Sequence, residues 1–129
     1  MLTVILLNFA HPLTEDNIKV IKGLAKQSVL DIKNINAQID PEGDVSAQVE
    51  DILNRAGLSS EQWQKTPIII NLPSLSYSAA IMLALLHGRM GYFPPILRMK
   101  PESGSIIPKF VVAEIINLQA VRDQARKER

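Results

Sequence analysis

The run Leu2-Thr3-Val4-Ile5-Leu6-Leu7 constrains the fold more than any other part of the chain. It is almost wholly apolar and rich in β-branched residues, so an extended segment here has no face to offer to water. A second run, Pro67-Ile68-Ile69-Ile70-Asn71-Leu72, has the same character. Strands of this kind belong in the middle of a parallel sheet covered by helices on both faces. Each run ends in a polar loop, residues 8–14 and 71–78, and a helical pattern follows each loop.

The rest of the chain reads as the remainder of such a sheet. Thr14 followed by Glu15 and Asp16 predicts a helix N-cap with an acidic first turn, and Ile18, Ile21 and Ala25 give that helix its apolar stripe. Residues 29–39 read as a second strand. There Leu30/Ile32 and Ile35/Ala37/Ile39 alternate out of phase, which predicts a bulge near Lys33-Asn34. Residues 40–44 form a turn, and Val45, Val49, Ile52, Leu53 and Ala56 make a helical face stopped by Gly57. The spacing in Ser59-Ser60-Glu61-Gln62 suits a capping box that starts a short helix through Trp63.

A further helix is expected from about Ser78, burying Ala79, Met82, Leu83, Leu86 and Met90 and ending at Gly88 or Gly91. Residues 96–100 read as a strand nearer an edge, because Arg98 and Lys100 alternate in it. A hairpin loop over 101–108 leads to a strand over 110–116. Asn117 then caps a last helix reaching about Lys127, with Leu118, Val121 and Ala125 facing in. Strands alternating with helices predict an α/β fold: one small Rossmann-like domain over residues 1–129, with a mainly parallel sheet of about five strands.

Composition removes several classes. With 47% hydrophobic and 21% charged residues, the chain can build a core and is not disordered as a whole. Zero cysteines exclude a disulfide scaffold, a thiolate metal site and a cysteine nucleophile, and two histidines give little for a metal, so no metal or cofactor is expected. No apolar run approaches the roughly 18 residues of a membrane helix. The apolar start has no basic flank or small-residue cleavage site, so it reads as strand and not as a secretion signal. A cytoplasmic protein with no membrane partner is the expectation.

The net charge of +1 hides an asymmetry. Residues 1–63 carry 5 basic and 9 acidic side chains, and residues 64–129 carry 9 and 4. The basic groups are scattered and the isoelectric point is about 8.0, which argues against duplex DNA and for a small phosphorylated ligand. In sheets of this kind ligands bind outside the carboxyl ends of the strands, where the strand order reverses. If the two apolar strands are neighbours, their loops converge there. Asn8, His11 and Thr14 then meet Asn71, Ser74, Ser76, Tyr77 and Ser78, near two helix N-termini able to hold an anion. The plainer use of the same residues is structural: Thr14 and Ser78 as helix caps, Asn8 and Asn71 as ties between strand ends.

Other motifs are weaker. The dinucleotide and nucleoside-triphosphate glycine patterns are absent. Asp40-x-Glu42-x-Asp44 is only a fragment of a calcium loop and reads as a turn. Ser74 or Ser76 with His11 could imitate a hydrolase pair, but no G-x-S-x-G elbow accompanies them. In residues 87–95, glycines bracket Arg89 before Tyr92-Phe93-Pro94-Pro95. This is a helix C-cap with His87 and Arg89 complementing the dipole, or a surface where Arg89 meets phosphate and an aromatic stacks on a base. A helix C-terminus lies at the far end of the sheet from the two loops, which favours a fold boundary or a subunit contact.

Three segments together carry a family resemblance. They are Asn8-Phe9-Ala10-His11-Pro12-Leu13-Thr14, Leu86-His87-Gly88-Arg89-Met90-Gly91-Tyr92-Phe93-Pro94, and Ala113-Glu114-Ile115-Ile116-Asn117-Leu118-Gln119-Ala120-Val121-Arg122. The chain resembles small CRISPR-associated Csx-type proteins related to the CARF and ring-nuclease group. That resemblance implies a CARF-like homodimer that binds cyclic oligoadenylate, the second messenger of type III CRISPR antiviral defence. It implies ligand contacts from the two loops: Asn8, Phe9, His11 and Thr14 in one, Asn71, Ser74, Ser76 and Tyr77 in the other. The leading expectation is sequestration, most simply of cyclic tetra-adenylate, to damp signalling. The alternatives are ring cleavage without a metal, with His11 as the catalytic group, and a nucleotide-sensing regulatory subunit. A ribose 2′-hydroxyl can attack its neighbouring phosphate, so cleavage asks the protein only for alignment and charge stabilisation. The dimer is also motivated by the symmetry of such a ring and by an apolar stretch, Tyr92 to Pro95, expected to be exposed.

Overall fold

The computed structural model describes residues 3–129, so the beginning of the first apolar run, Leu2, lies outside the described residues. Strand β1 (Val4–Asn8) is followed by helix α1 (Glu15–Ala25), strand β2 (Leu30–Asn34) and helices α2 (Val45–Asn54) and α3 (Ser60–Lys65). Then come β3 (Ile68–Asn71), α4 (Ser76–Met90), β4 (Ile96–Pro101), β5 (Phe110–Ile116) and α5 (Leu118–Arg126). The five strands form one sheet in the order β2-β1-β3-β4-β5. All neighbours are parallel except β4 and β5, which form the hairpin. This is an α/β fold with the sheet predicted from the alternation of elements.

The two apolar runs hold the centre because both of their faces are covered. Ile5, Leu7, Ile68 and Ile70 join α2, α3 and α4 in a core built around Val49, Ile52, Leu53, Trp63, Met82 and Leu86. Val4, Leu6, Ile69 and Leu97 turn the other way, onto Ile21 of α1. Asn17, in the first turn of α1, donates from Nδ2 to the Phe110 carbonyl at 3.2 Å and ties that helix to the edge strand.

Local signals set the boundaries. Thr14 and Ser59 each make a capping box, with Asn17 and Gln62 answering back, while Asp44 and Asn117 cap α2 and α5 through single side-chain bonds. Gly91 ends α4 at φ +83°, a conformation that L side chains avoid.

Four expectations need correction. Residues 29–39 are not one strand: β2 stops at Asn34, where the apolar alternation loses phase, and the irregularity falls between Arg98 and Met99 in the hairpin instead. Helix α4 begins at Ser76, and Ser78 is a buried first-turn residue, not a cap. The stretch Tyr92 to Pro95 is half-buried to buried, with Pro94 wholly inside, because Tyr92 packs on the core and the Pro95 carbonyl accepts the Ile70 N–H of β3 at 3.0 Å. Finally, α5 does not turn Val121 and Ala125 inward; no residue of it is buried, and Val121 is 57% exposed. Among the described residues, no helix is long and apolar enough to cross a membrane.

Ser78 is 2% exposed and its Oγ has no hydrogen-bond partner among the described residues. A buried hydroxyl left unpaired costs about 1–3 kcal/mol. Ser78→Ala should therefore raise the unfolding free energy by about 1 kcal/mol, measured by urea denaturation followed through Trp63 fluorescence.

Candidate functional site

Strands β1, β2 and β3 end on the same row of the sheet, and all three end on asparagine. Asn8 stands in register with Asn34 on one side and Asn71 on the other. The middle amide uses its whole hydrogen-bonding capacity. Asn8 Oδ1 accepts from Asn71 Nδ2 at 2.9 Å and from the Ala10 amide at 3.1 Å. Asn8 Nδ2 donates to Asn34 Oδ1 at 2.9 Å and to the His11 carbonyl at 2.9 Å. Backbone bonds from Phe9 N–H to the Asn71 carbonyl and from Ile35 N–H to the Asn8 carbonyl complete the row.

Above this row lies a cleft of about 590 Å³, walled by the three segments that leave the strands: residues 9–12, 34–39 and 73–75. The strand order reverses between β1 and β3, so the cleft occupies the switch point of the sheet. Its lining contains no aspartate, glutamate, lysine or arginine. The polar groups are the His11 imidazole, the Ser74 hydroxyl and the amides of Asn34, Asn36 and Gln38. Asn36 Oδ1 is taken by the Gln38 backbone N–H at 2.9 Å, and Arg55 Nη1 holds the Asn36 carbonyl at 3.1 Å. The Gln38 side chain is left without a partner among the described residues.

Leu75, at the rim of the cleft, is also the N-cap of α4 and supplies no side-chain cap. The other four helices are closed by Thr14, Asp44, Ser59 and Asn117. The first turn of α4 is thus the one without a side-chain cap, and it adjoins the cleft through Leu75.

The predicted site residues divide into three groups. His11 and Ser74 line the cleft, with Phe9 contributing from its buried position. Asn8 and Asn71, both buried, stand outside the lining and tie the strand ends from which its walls depart. Thr14 spends its hydroxyl on the α1 capping box, and the exposed Ser76 and Tyr77 in the first turn of α4 stand outside the lining. Among the described residues no hydrogen bond joins Ser74 or Ser76 to His11, the contact a serine nucleophile and its base would share.

Residues 34–39 were not in the predicted set. Their signal was present as the loss of alternation after Ile32, which marks the chain leaving the sheet: Ile35 and Ala37 keep packing on the core while Asn36 and Gln38 face outward.

The remaining candidates have structural roles. Asp40 and Asp44 accept backbone N–H groups in the turn and at the α2 cap, and no group of three potential metal ligands occurs among the described residues. Arg89 Nη2 donates to Asn54 Oδ1 at 2.7 Å and its guanidinium lies 5.6 Å from the Trp63 ring. His87 packs on Phe93 with ring centroids 4.5 Å apart. That segment closes the end of the sheet away from the cleft.

Comparison with protein-family models, with curated proteins and with solved structures gives no match.

Removing the middle amide should loosen the strand ends beneath the cleft. Asn8→Ala is expected to lower the unfolding free energy by about 3 kcal/mol, because it removes four hydrogen bonds and leaves the buried Asn71 amide unpaired. Gln38→Ala, which removes no side-chain hydrogen bond among the described residues, should stay within about 0.5 kcal/mol of the parent. Thermal and denaturant unfolding of the two variants checks both.

Proposed function

We propose that the protein binds cyclic oligoadenylate in the carboxyl-edge cleft and damps type III CRISPR signalling by sequestering it. The observation that carries this reading is the cleft itself: it occupies the sheet's switch point, has no carboxylate to repel phosphate, and borders the uncapped amino terminus of α4. Phosphates of the ring meet open backbone N–H groups and a partial positive charge at that terminus. The adenine edges meet side-chain amides, whose paired donor and acceptor match adenine. Gln38 carries the one amide in the lining whose donor and acceptor are both uncommitted. A ring with rotational symmetry is matched by two copies presenting the same cleft, which is the basis for a homodimer. The family resemblance of the sequence supports the choice of this ligand over other small phosphorylated compounds.

A second reading rests on His11. As the one histidine in the lining, it is the group placed to move a proton if the 2′-hydroxyl of the bound ring attacks its phosphate, which would make the protein a ring nuclease.

Incubation of the purified protein with radiolabelled cyclic tetra-adenylate, with and without chelator, separates the readings. Recovery of the intact ring from a stable complex is the expected result, and linear products would establish cleavage. Absence of binding removes both. Under sequestration, Gln38→Ala and Ser74→Ala each weaken binding by about 0.5–1.5 kcal/mol, and His11→Ala costs a similar amount. Under cleavage, His11→Ala instead lowers turnover by about 10²–10⁴-fold while binding survives.

A further inference from the structure

Helix α5 is amphipathic, yet its own chain covers only its first turn in part. Leu118, Val121 and Ala125 fall at the spacing of one helical stripe, but none is buried. Arg122 and Arg126 run along one flank of that stripe; Arg122 also contacts the neighbouring Asp123 across 2.9 Å, at the exposed surface, and Arg126 has no ion-pair partner among the described residues. The tie to the rest of the fold is polar: Gln119 Oε1 accepts the Phe93 N–H at 2.8 Å.

The complementary surface lies between α2 and α4. These helices leave a groove of about 870 Å³ with an apolar floor that includes Ile81, Ala84 and Leu85. Glu50 and Asp51 form its acidic side, exposed and without ion-pair partners among the described residues. Its basic residue, Arg89, is already engaged by Asn54 and Trp63. The groove shares no lining residue with the carboxyl-edge cleft.

We propose that α5 of one copy of this chain docks in the α2–α4 groove of a second copy. The apolar stripe fills the floor, and Arg122 and Arg126 face Glu50 and Asp51, a helix-in-groove contact selected by charge. A helix of 9 residues spans about 13 Å and one of 10 spans about 15 Å, so α5 fits the length of α2. One such helix is small against the roughly 1,000 Å² that a stable interface buries. Reciprocal exchange doubles the contact and closes the assembly as a twofold dimer instead of an open chain. The ligand reading already calls for a homodimer; this inference assigns the surface through which two copies meet, and it is tested without ligand, so its failure leaves binding in the cleft to be judged separately.

Light scattering on the ligand-free full chain at about 100 µM, well above the micromolar affinities of modest interfaces, tests it. The parent should have twice the 14.3 kDa chain mass. Val121→Asp should raise the dimer dissociation constant by about ten-fold or more, as loss of a central anchor does, with an unchanged far-ultraviolet circular dichroism spectrum because Val121 is already exposed in its own chain. The double variants Glu50→Arg/Asp51→Arg and Arg122→Glu/Arg126→Glu should each be monomeric alone. Mixed in equal amounts they should regain the dimer mass, since each then supplies the charge the other needs. A monomeric parent, a dimer that persists in all the variants, or a mixture that stays monomeric would overturn the proposal.

Discussion

The Asn8 side chain is the interaction on which the carboxyl edge of the sheet depends. Three strands end side by side, and each must release its chain in a different direction without leaving buried backbone groups unpaired. One amide resolves this. Asn8 binds Asn34 and Asn71 across the row while holding the Ala10 N–H and the His11 carbonyl of its own loop. No apolar side chain could serve there, and a charged one would need a buried counter-ion. The same four bonds fix where the loop after β1 leaves the sheet, and so fix one wall of the cleft.

The position of that row follows from the apolar strands beneath it. Val4 to Leu7 and Ile68 to Ile70 bury alternate side chains on opposite faces, so neither strand can slip by one residue without exchanging its two cores. Register set by the core thus becomes register of the three asparagines. Chemistry at the edge is carried by amides, one hydroxyl, one imidazole and the open end of α4. Arg98 and Arg89 of the basic half are engaged elsewhere, on Glu114 and on Asn54 and Trp63, while Arg55 reaches the cleft wall only through the Asn36 carbonyl. The basic excess of the second half of the chain therefore does not line the cleft, and any anion held there is met by backbone dipoles.

Much of this was legible in the sequence because each local signal had a single physical use. The continuous apolar runs could only be central strands, Thr14 and Ser59 could cap helices with their neighbours, and Asn117 stood directly before a helical pattern. Residues whose roles depend on distant partners were harder to read. Asn34 looked like the site of a bulge because a phase break in apolar residues marks either a bulge or a strand end, and only pairing with Asn8 decides between them. Val121 looked like a core residue because a helical stripe does not say which molecule it faces. Ser76 and Tyr77 were placed near the site by loop membership, yet the early start of α4 turns them away from the lining.

The central claim is that the asparagine row and the three segments above it form the ligand site. The most direct measurement is a ¹H–¹⁵N NMR titration of the protein with cyclic tetra-adenylate. The account predicts shifts concentrated in the amides of residues 9–12, 34–39 and 73–78 and in the side-chain NH₂ groups of Asn34 and Gln38. Residues 87–95 should remain unmoved. Shifts centred on Arg89, Tyr92 and Arg98 while the carboxyl edge stays silent would contradict it.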